Sequence, residues 1–85
     1  MTYLARIQIT LKPSVLDPQG AAVTKALGAL GFDEVSDVRV GRYLEMRLSA
    51  QDRETAERRV AEMCDALLAN LIIERYEFSV AEEAS

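Results

Sequence analysis

Hydrophobic and polar residues alternate strictly from Tyr3 to Lys12. Tyr3, Ala5, Ile7, Ile9 and Leu11 share one parity, and Leu4, Arg6, Gln8, Thr10 and Lys12 share the other. Alternation rich in Ile marks a half-buried strand, whose apolar side needs a helix layer and whose polar side can meet water or a polar partner. The period then changes to that of a helix from Pro18 to Leu30, where Val23, Ala26, Leu27 and Leu30 fall on one stripe. Gly31 follows where a left-handed residue closes a helix, and Phe32 is placed to fold back on Leu27. Small residues (Ala21, Ala22, Gly28, Ala29) fill the remaining helix surface and permit close approach by another element.

The junction between this strand and this helix, Leu11 to Gly20, packs several local rules together. Asp17 is a preferred N-cap, because its carboxylate can accept a backbone N–H of the first turn. It also sets negative charge at the positive end of the helix dipole. Pro18 then stands at the first helical position, where its missing N–H costs nothing. Val15 and Leu16 precede the cap, and one of them can act as a hydrophobic staple. Gly20 is the oddity: early in a helix, glycine is about 1 kcal/mol worse than alanine. Its presence implies a close backbone approach, most simply from the chain's own strand.

Val38, Val40, Leu44, Met46 and Leu48 share even parity, interrupted by Arg42. A hairpin turning at Gly41-Arg42 would split this set between two faces, so one long strand over 35–48, bent at Gly41, is expected. Such a strand overhangs what a small domain can cover and would seek a partner chain. A second helix begins near Ser49–Asp52, with either residue as cap, and carries Ala56, Val60, Met63, Cys64, Leu67 and Leu68 on one stripe. Asn70 is expected to end it in a left-handed conformation. The closing strand, Leu71–Val80, sets Ile72, Tyr76, Phe78 and Val80 on one face. Glu74 interrupts that face as Arg42 interrupts the earlier one; the two could pair inside an interface or stand there by chance. Residues 1–80 thus form a single domain, and the acidic tail Ala81–Ser85 is expected to fray. The fold class is α+β, a two-layer βαβ(β)αβ unit of ferredoxin-like type. Two helices lie on one face of a three- or four-stranded sheet with a long bent central strand.

Composition narrows the chemistry. Eighty-five residues leave nothing for a second domain, and a chain this size buries only about 60–68% of its extended surface on folding. Against that modest core, 49% hydrophobic residues is a surplus that hints at an interface. Net charge is −4, with ten acidic and five basic residues over 44–85, which argues against nucleic-acid binding. Cys64 is alone and there is no histidine. No thiolate metal site, no intrachain disulfide and no imidazole base can form. Cys64 on an apolar stripe reads as an inert core residue. The lack of an apolar leader or span leads to the expectation of a soluble, cytoplasmic protein with no membrane contact.

Taken in order, several blocks resemble the PurS family, the small subunit of phosphoribosylformylglycinamidine synthase. They are Leu11-Lys12 with Val15 to Gly20, Leu30-Gly31-Phe32, Val38 to Glu45, Met63 to Asn70, and Ile73-Glu74-Arg75-Tyr76. The resemblance covers about Ile7 to Val80. It implies a non-catalytic subunit in de novo purine biosynthesis, docking a PurQ-type glutaminase to a PurL-type synthetase so that ammonia passes between them. It also implies that ATP and Mg are used by the synthetase, with no cofactor or metal bound by this chain. Self-association as a dimer or tetramer, by strand pairing or exchange, is expected from the apolar surplus and the overlong strand. The interface candidates are Leu16, Asp17, Pro18, Gln19, Gly20, Gly41, Arg42, Tyr43, Asn70 and Glu74.

The residues themselves offer no catalytic constellation, neither a Ser/His or Cys/His pair nor a phosphate-cradling loop. Gly41-Arg42 is compatible with an anion site, but a strand bend carrying an exposed arginine is the preferred reading, because a two-residue signal is weak. Two other classes therefore stand beside the adapter: a small-molecule-binding regulatory domain of ferredoxin-like type, and an acylphosphatase-type hydrolase. The hydrolase would require Arg42 and Asn70 to meet around an anion.

Overall fold

The computed structural model describes residues 1–83, in the order β1 (Thr2–Leu11), α1 (Pro18–Ala29), β2 (Arg42–Ser49), α2 (Arg53–Met63) and β3 (Glu74–Glu83). β1, the strand of strict alternation, is the middle of a three-stranded sheet, β2-β1-β3, and both neighbours run antiparallel to it. The α+β class and the ferredoxin-like arrangement hold. Tyr3, Ala5, Ile7 and Ile9 are buried beneath Ala56, Val60, Cys64 and Ala69, with Leu44, Met46 and Leu48 of β2 and Tyr76, Phe78 and Val80 of β3 packed around them. On the opposite face Leu4 is also buried, in register with Arg47 and Ala81. Beside it Arg47 and Glu83 form an ion pair of 2.6 Å.

Both helices are punctuated as their sequences require. Asp17 Oδ1 accepts the Gly20 N–H at 2.9 Å, and Asp52 Oδ1 accepts that of Thr55 at 2.7 Å. α1 closes at Gly31, whose φ of 96° is the left-handed residue of a Schellman motif. There the Phe32 N–H reaches the Leu27 carbonyl at 2.9 Å, and that of Gly31 reaches Gly28 at 3.0 Å.

Four expectations need correction. The long strand over 35–48 is not continuous: only Arg42–Ser49 enters the sheet, on its edge, and no hairpin forms at Gly41. The Val40 N–H is given instead to the Asp17 carboxylate, so this segment has no donor there for a ladder. The second helical stripe slips at its end, because α2 passes into one π-type turn, Cys64–Leu68, closed by Ala69 N–H to Cys64 O at 3.0 Å. The extra residue per turn brings Ala69 inward and leaves Leu67 83% exposed. Asn70 is not left-handed; its side-chain oxygen accepts the Ile72 N–H at 3.1 Å, turning the chain so that β3 starts at Glu74 and Ile72 lies outside it. Finally, Ala81, Glu82 and Glu83 do not fray but continue β3, paired with Leu4, Tyr3 and Thr2. Residues 84 and 85 of the expected tail lie outside the described residues.

α1 is the anomaly of the packing. Only Gly20 of this helix is buried, and none of its side chains joins the core. α2 covers the sheet as expected, while the stripe Val23, Leu27 and Leu30 takes no part in the core, Val23 being 40% and Leu30 73% exposed. The molecule is accordingly long and thin, 51 × 29 × 14 Å, with a radius of gyration of 16.5 Å. A compact domain of this length has about 12 Å. Its accessible surface of 6033 Å² exceeds by about 1,000 Å² that of an ordinary monomer of the same mass.

Ile7→Ala, in the dry centre, should lower the free energy of unfolding by about 2–4 kcal/mol. Leu67→Ala should change it by less than about 0.5 kcal/mol. Urea titrations of the two variants check the π-turn phase, since an unbroken helix would bury Leu67.

Candidate docking surface

The strand ends where β1 leaves the sheet and β2 and β3 enter it gather nearly all of the sequence-selected residues. The loop from Lys12 to Asp17, the extended segment 38–41 and the turn 69–73 meet there. Asp17 is the junction. Its Oδ1 caps α1, and its Oδ2 accepts the Val40 N–H at 2.8 Å, so that in a residue only 5% exposed both carboxylate oxygens have a partner. The Gly20 N–H, then that of Val40, with the nearby Arg39 guanidinium, hold its carboxyl below the ordinary carboxylate range. Gly20 lies against the Val38 carbonyl so closely that a Cβ would overlap the oxygen. The close approach expected from sequence is therefore real, and the approaching backbone is the chain's own.

Arg39 ties the same corner from outside. Its Nη2 donates to the carbonyls of Lys12 at 2.8 Å and Val15 at 2.9 Å, strapping 38–40 to the loop before α1. Nothing in the local sequence marks it: Arg39 alternates with Val38 and Val40 as any outward residue would. Gly41 is required because a Cβ there would strike the Ile9 carbonyl. Next to it Arg42 Nη2 meets Glu74 Oε1 at 2.8 Å and Oε2 at 3.0 Å, and also reaches the Leu68 carbonyl at 3.1 Å. Glu74 Oε1 in turn accepts the Asn70 N–H at 2.8 Å. That bond, then Arg42, lowers the Glu74 carboxyl. Arg42 and Glu74 do pair, within one chain rather than across an interface.

The same pairing answers the anion reading of Gly41-Arg42. Arg42 and Asn70 do come together, but through Glu74, whose carboxylate takes the Arg42 guanidinium and the Asn70 backbone N–H, while the Asn70 side-chain oxygen turns to the Ile72 N–H. Tyr43 is the one selected residue placed elsewhere. It lies on the uncovered sheet face, its hydroxyl donating to Glu45 at 3.1 Å beside Arg6. Cys64 is buried, and burial pushes its thiol up. Tyr76 donates to Asp65 at 2.8 Å, which with burial pushes its hydroxyl to about 12. Among the described residues no cluster of His, Cys, Asp and Glu could hold a metal ion.

While the polar groups at this end bond inward, its large apolar side chains point out. Leu16, Leu67 and Ile72 are 79–83% exposed, with Leu71 and Ile73 half-exposed beside Asn70. The periodicity of the sequence assigns Leu67 and Ile72 to the core, and the structure does not. The consecutive run Leu71-Ile72-Ile73, which cannot all face one side of a strand, is the signal that one or more of them stays outside.

The family model for PurS, phosphoribosylformylglycinamidine (FGAM) synthase, matches residues 4–82. The chain belongs to the PurS family. The FGAM synthase subunit PurS of Synechocystis sp. is 52% identical over 79 residues, 93% of this chain and 79% of that protein. Among solved PurS structures, that of Thermus thermophilus superposes with a TM-score of 0.87 at 40% identity, covering 99% of this chain and all of that one. A chain of the Thermotoga maritima PurLQS structure superposes with a TM-score of 0.87 at 25% identity, covering 95% of this chain and 99% of that one.

Gly20→Ala should lower stability although alanine is the better helix former by about 1 kcal/mol, because its Cβ meets Val38. Thermal melts check the sign. Asp17 and Glu74 also fix a pH response. Carboxyls lowered in the folded state contribute stability above their ordinary values of 3.8 and 4.5 that is lost as pH falls through the lowered ones. Asp17→Asn, which still caps α1 but cannot accept twice as a carboxylate, should lose less stability than the parent between pH 6 and pH 3. Parallel losses would remove Asp17 from this account.

Proposed function

We propose that this chain is the non-catalytic small subunit of FGAM synthase in de novo purine biosynthesis. It joins a glutaminase subunit to an ATP- and Mg-using synthetase subunit so that ammonia released from glutamine reaches formylglycinamide ribonucleotide without escaping to solvent. Membership of the PurS family supports the assignment. The observation that carries the adapter role is the strand end itself, where the charged groups are satisfied within the chain and Leu16, Leu67, Leu71 and Ile72 are left for another molecule. A patch of this kind, rigid beneath and apolar outside, is what a protein contact uses.

The chain first completes itself with a second copy. α1 carries an apolar stripe that takes no part in the core, and the core-side residues Leu44, Met46 and Leu48 of β2 are only partly covered. Helix and strand face are complementary parts of one two-layer fold, held apart by the Asp17 and Gly20 contacts. Reciprocal exchange of α1 between two copies covers both, and the excess surface of about 1,000 Å² matches the roughly 800 Å² per partner of a stable interface. No helix among the described residues is long and apolar enough to cross a membrane, and the cytoplasm is the site where this assembly would work.

Reconstitution tests the reading. Leaving this protein out should abolish glutamine-dependent formation of formylglycinamidine ribonucleotide while sparing most of the activity driven by a high concentration of free ammonia. Undiminished glutamine-dependent turnover would refute the adapter role, and equal loss of both activities would point to stabilisation of the synthetase instead.

A further inference from the structure

Thr10 of β1 and Arg75 of β3 are register partners on the polar face of the sheet. With Leu11, Pro13, Asp37 and Arg39 they line a depression of about 240 Å³. Two guanidiniums and one carboxylate therefore border the same hollow. Arg6, Arg42, Arg47 and Arg59 each pair with a glutamate. Arg75, which is exposed, makes no ion pair among the described residues, not even with Glu77 two places along the same face. Arg39 is held in place, because its Nη2 is spent on the carbonyls of Lys12 and Val15. Its Nε and Nη1 N–H groups have no partner among the described residues. The Thr10 methyl lies against the bare Cα of Gly41, and the Thr10 hydroxyl is likewise unpartnered.

We infer that this hollow binds the phosphate monoester of a small sugar, held by Arg75, Arg39 and Thr10 and selected by Asp37. A phosphate dianion matches two guanidiniums in charge. Its terminal oxygens can accept the paired N–H groups of Arg75, those left on Arg39 and the Thr10 hydroxyl. Because Arg39 is already immobilised, closing on the anion costs less side-chain entropy than two loose arginines would. Asp37 decides what else the ligand carries. An ionised carboxylate only accepts hydrogen bonds, so it opposes a bare anion and favours one with hydroxyl donors beside its phosphate. A pentose phosphate has them, and its C–H edge can lie on Leu11 and Pro13. A dicarboxylate suits the arginines but brings Asp37 negative charge and no donor. The hollow is smaller than the roughly 300–1,000 Å³ of a pocket for drug-sized ligands, which fits one sugar phosphate without a base. The site lies on the opposite side of the sheet from the core, and it requires neither the adapter role nor the α1 exchange.

Three probes test this on the whole isotope-labelled protein, with binding followed through its amide resonances. They are ribose esterified with phosphate at its primary hydroxyl, inorganic phosphate, and succinate. Ribose phosphate should move Thr10, Asp37, Arg39 and Arg75 saturably, inorganic phosphate should bind more weakly, and succinate more weakly still. Arg75→Gln, at an exposed position where the fold does not need the charge, should weaken ribose phosphate about tenfold with an unchanged circular dichroism spectrum. Thr10→Val, which keeps the shape and removes the hydroxyl, should weaken it as well. Asp37→Asn should close most of the gap between ribose phosphate and inorganic phosphate, because the repulsion that penalises the bare anion is gone. Succinate bound as tightly as ribose phosphate, an affinity untouched by Arg75→Gln, or a gap that survives Asp37→Asn would each overturn the inference. So would the absence of any saturable shift at millimolar ligand, because the hollow would then be closed in the protein as it assembles.

Discussion

The carboxylate of Asp17 accepts the first-turn N–H of α1 with one oxygen and the N–H of Val40, where the chain returns from the helical excursion, with the other. Everything between those two bonds is positioned by them, since α1 has no side chain in the core. Gly20 against the Val38 carbonyl and Arg39 on the Lys12 and Val15 carbonyls set the same geometry from two further directions. A buried carboxylate is tolerable only because its acceptor sites are used. The same satisfaction makes the corner rigid. A helix tied at one end and uncovered along its stripe is a poor design for a monomer and a sensible one for a subunit that another copy completes.

The strand end shows the same division. Arg42, Glu74 and Asn70 close on one another, and Leu16, Leu67, Leu71 and Ile72 are left outside. Polar groups that bond within the chain need not be rearranged when a partner arrives, so the apolar side chains can contribute to binding without that cost. A PurS-family chain built in this way acts through the faces it offers to other molecules.

Most of the architecture is legible in the sequence because the signals are local. The alternation of Tyr3 to Leu11, the Asp17-Pro18 start and the Gly31 stop each depend on residues adjacent in the chain, and each appears where the pattern puts it. Gly20 is legible as a close approach because its helix cost demands a reason. What cannot be read is set by distant groups. The loss of a strand at Val38–Val40 depends on the Val40 N–H being donated to Asp17, and the burial of Ala69 in place of Leu67 depends on a π-type turn that no residue pattern announces. The Arg42–Glu74 pair is visible only as two matching interruptions, and the structure alone shows that they meet.

On the proposed assembly α1 is an interface helix and not a loosely packed part of a monomer. Val23→Asp tests it directly, because Val23 is 40% exposed on the single chain and is no part of its core. Sedimentation equilibrium over a dilution series should show the parent as a stable oligomer. The variant should fall to smaller species, with its secondary structure unchanged by circular dichroism. A Val23→Asp protein that keeps the parent's mass at every concentration would show that α1 is not an interface helix.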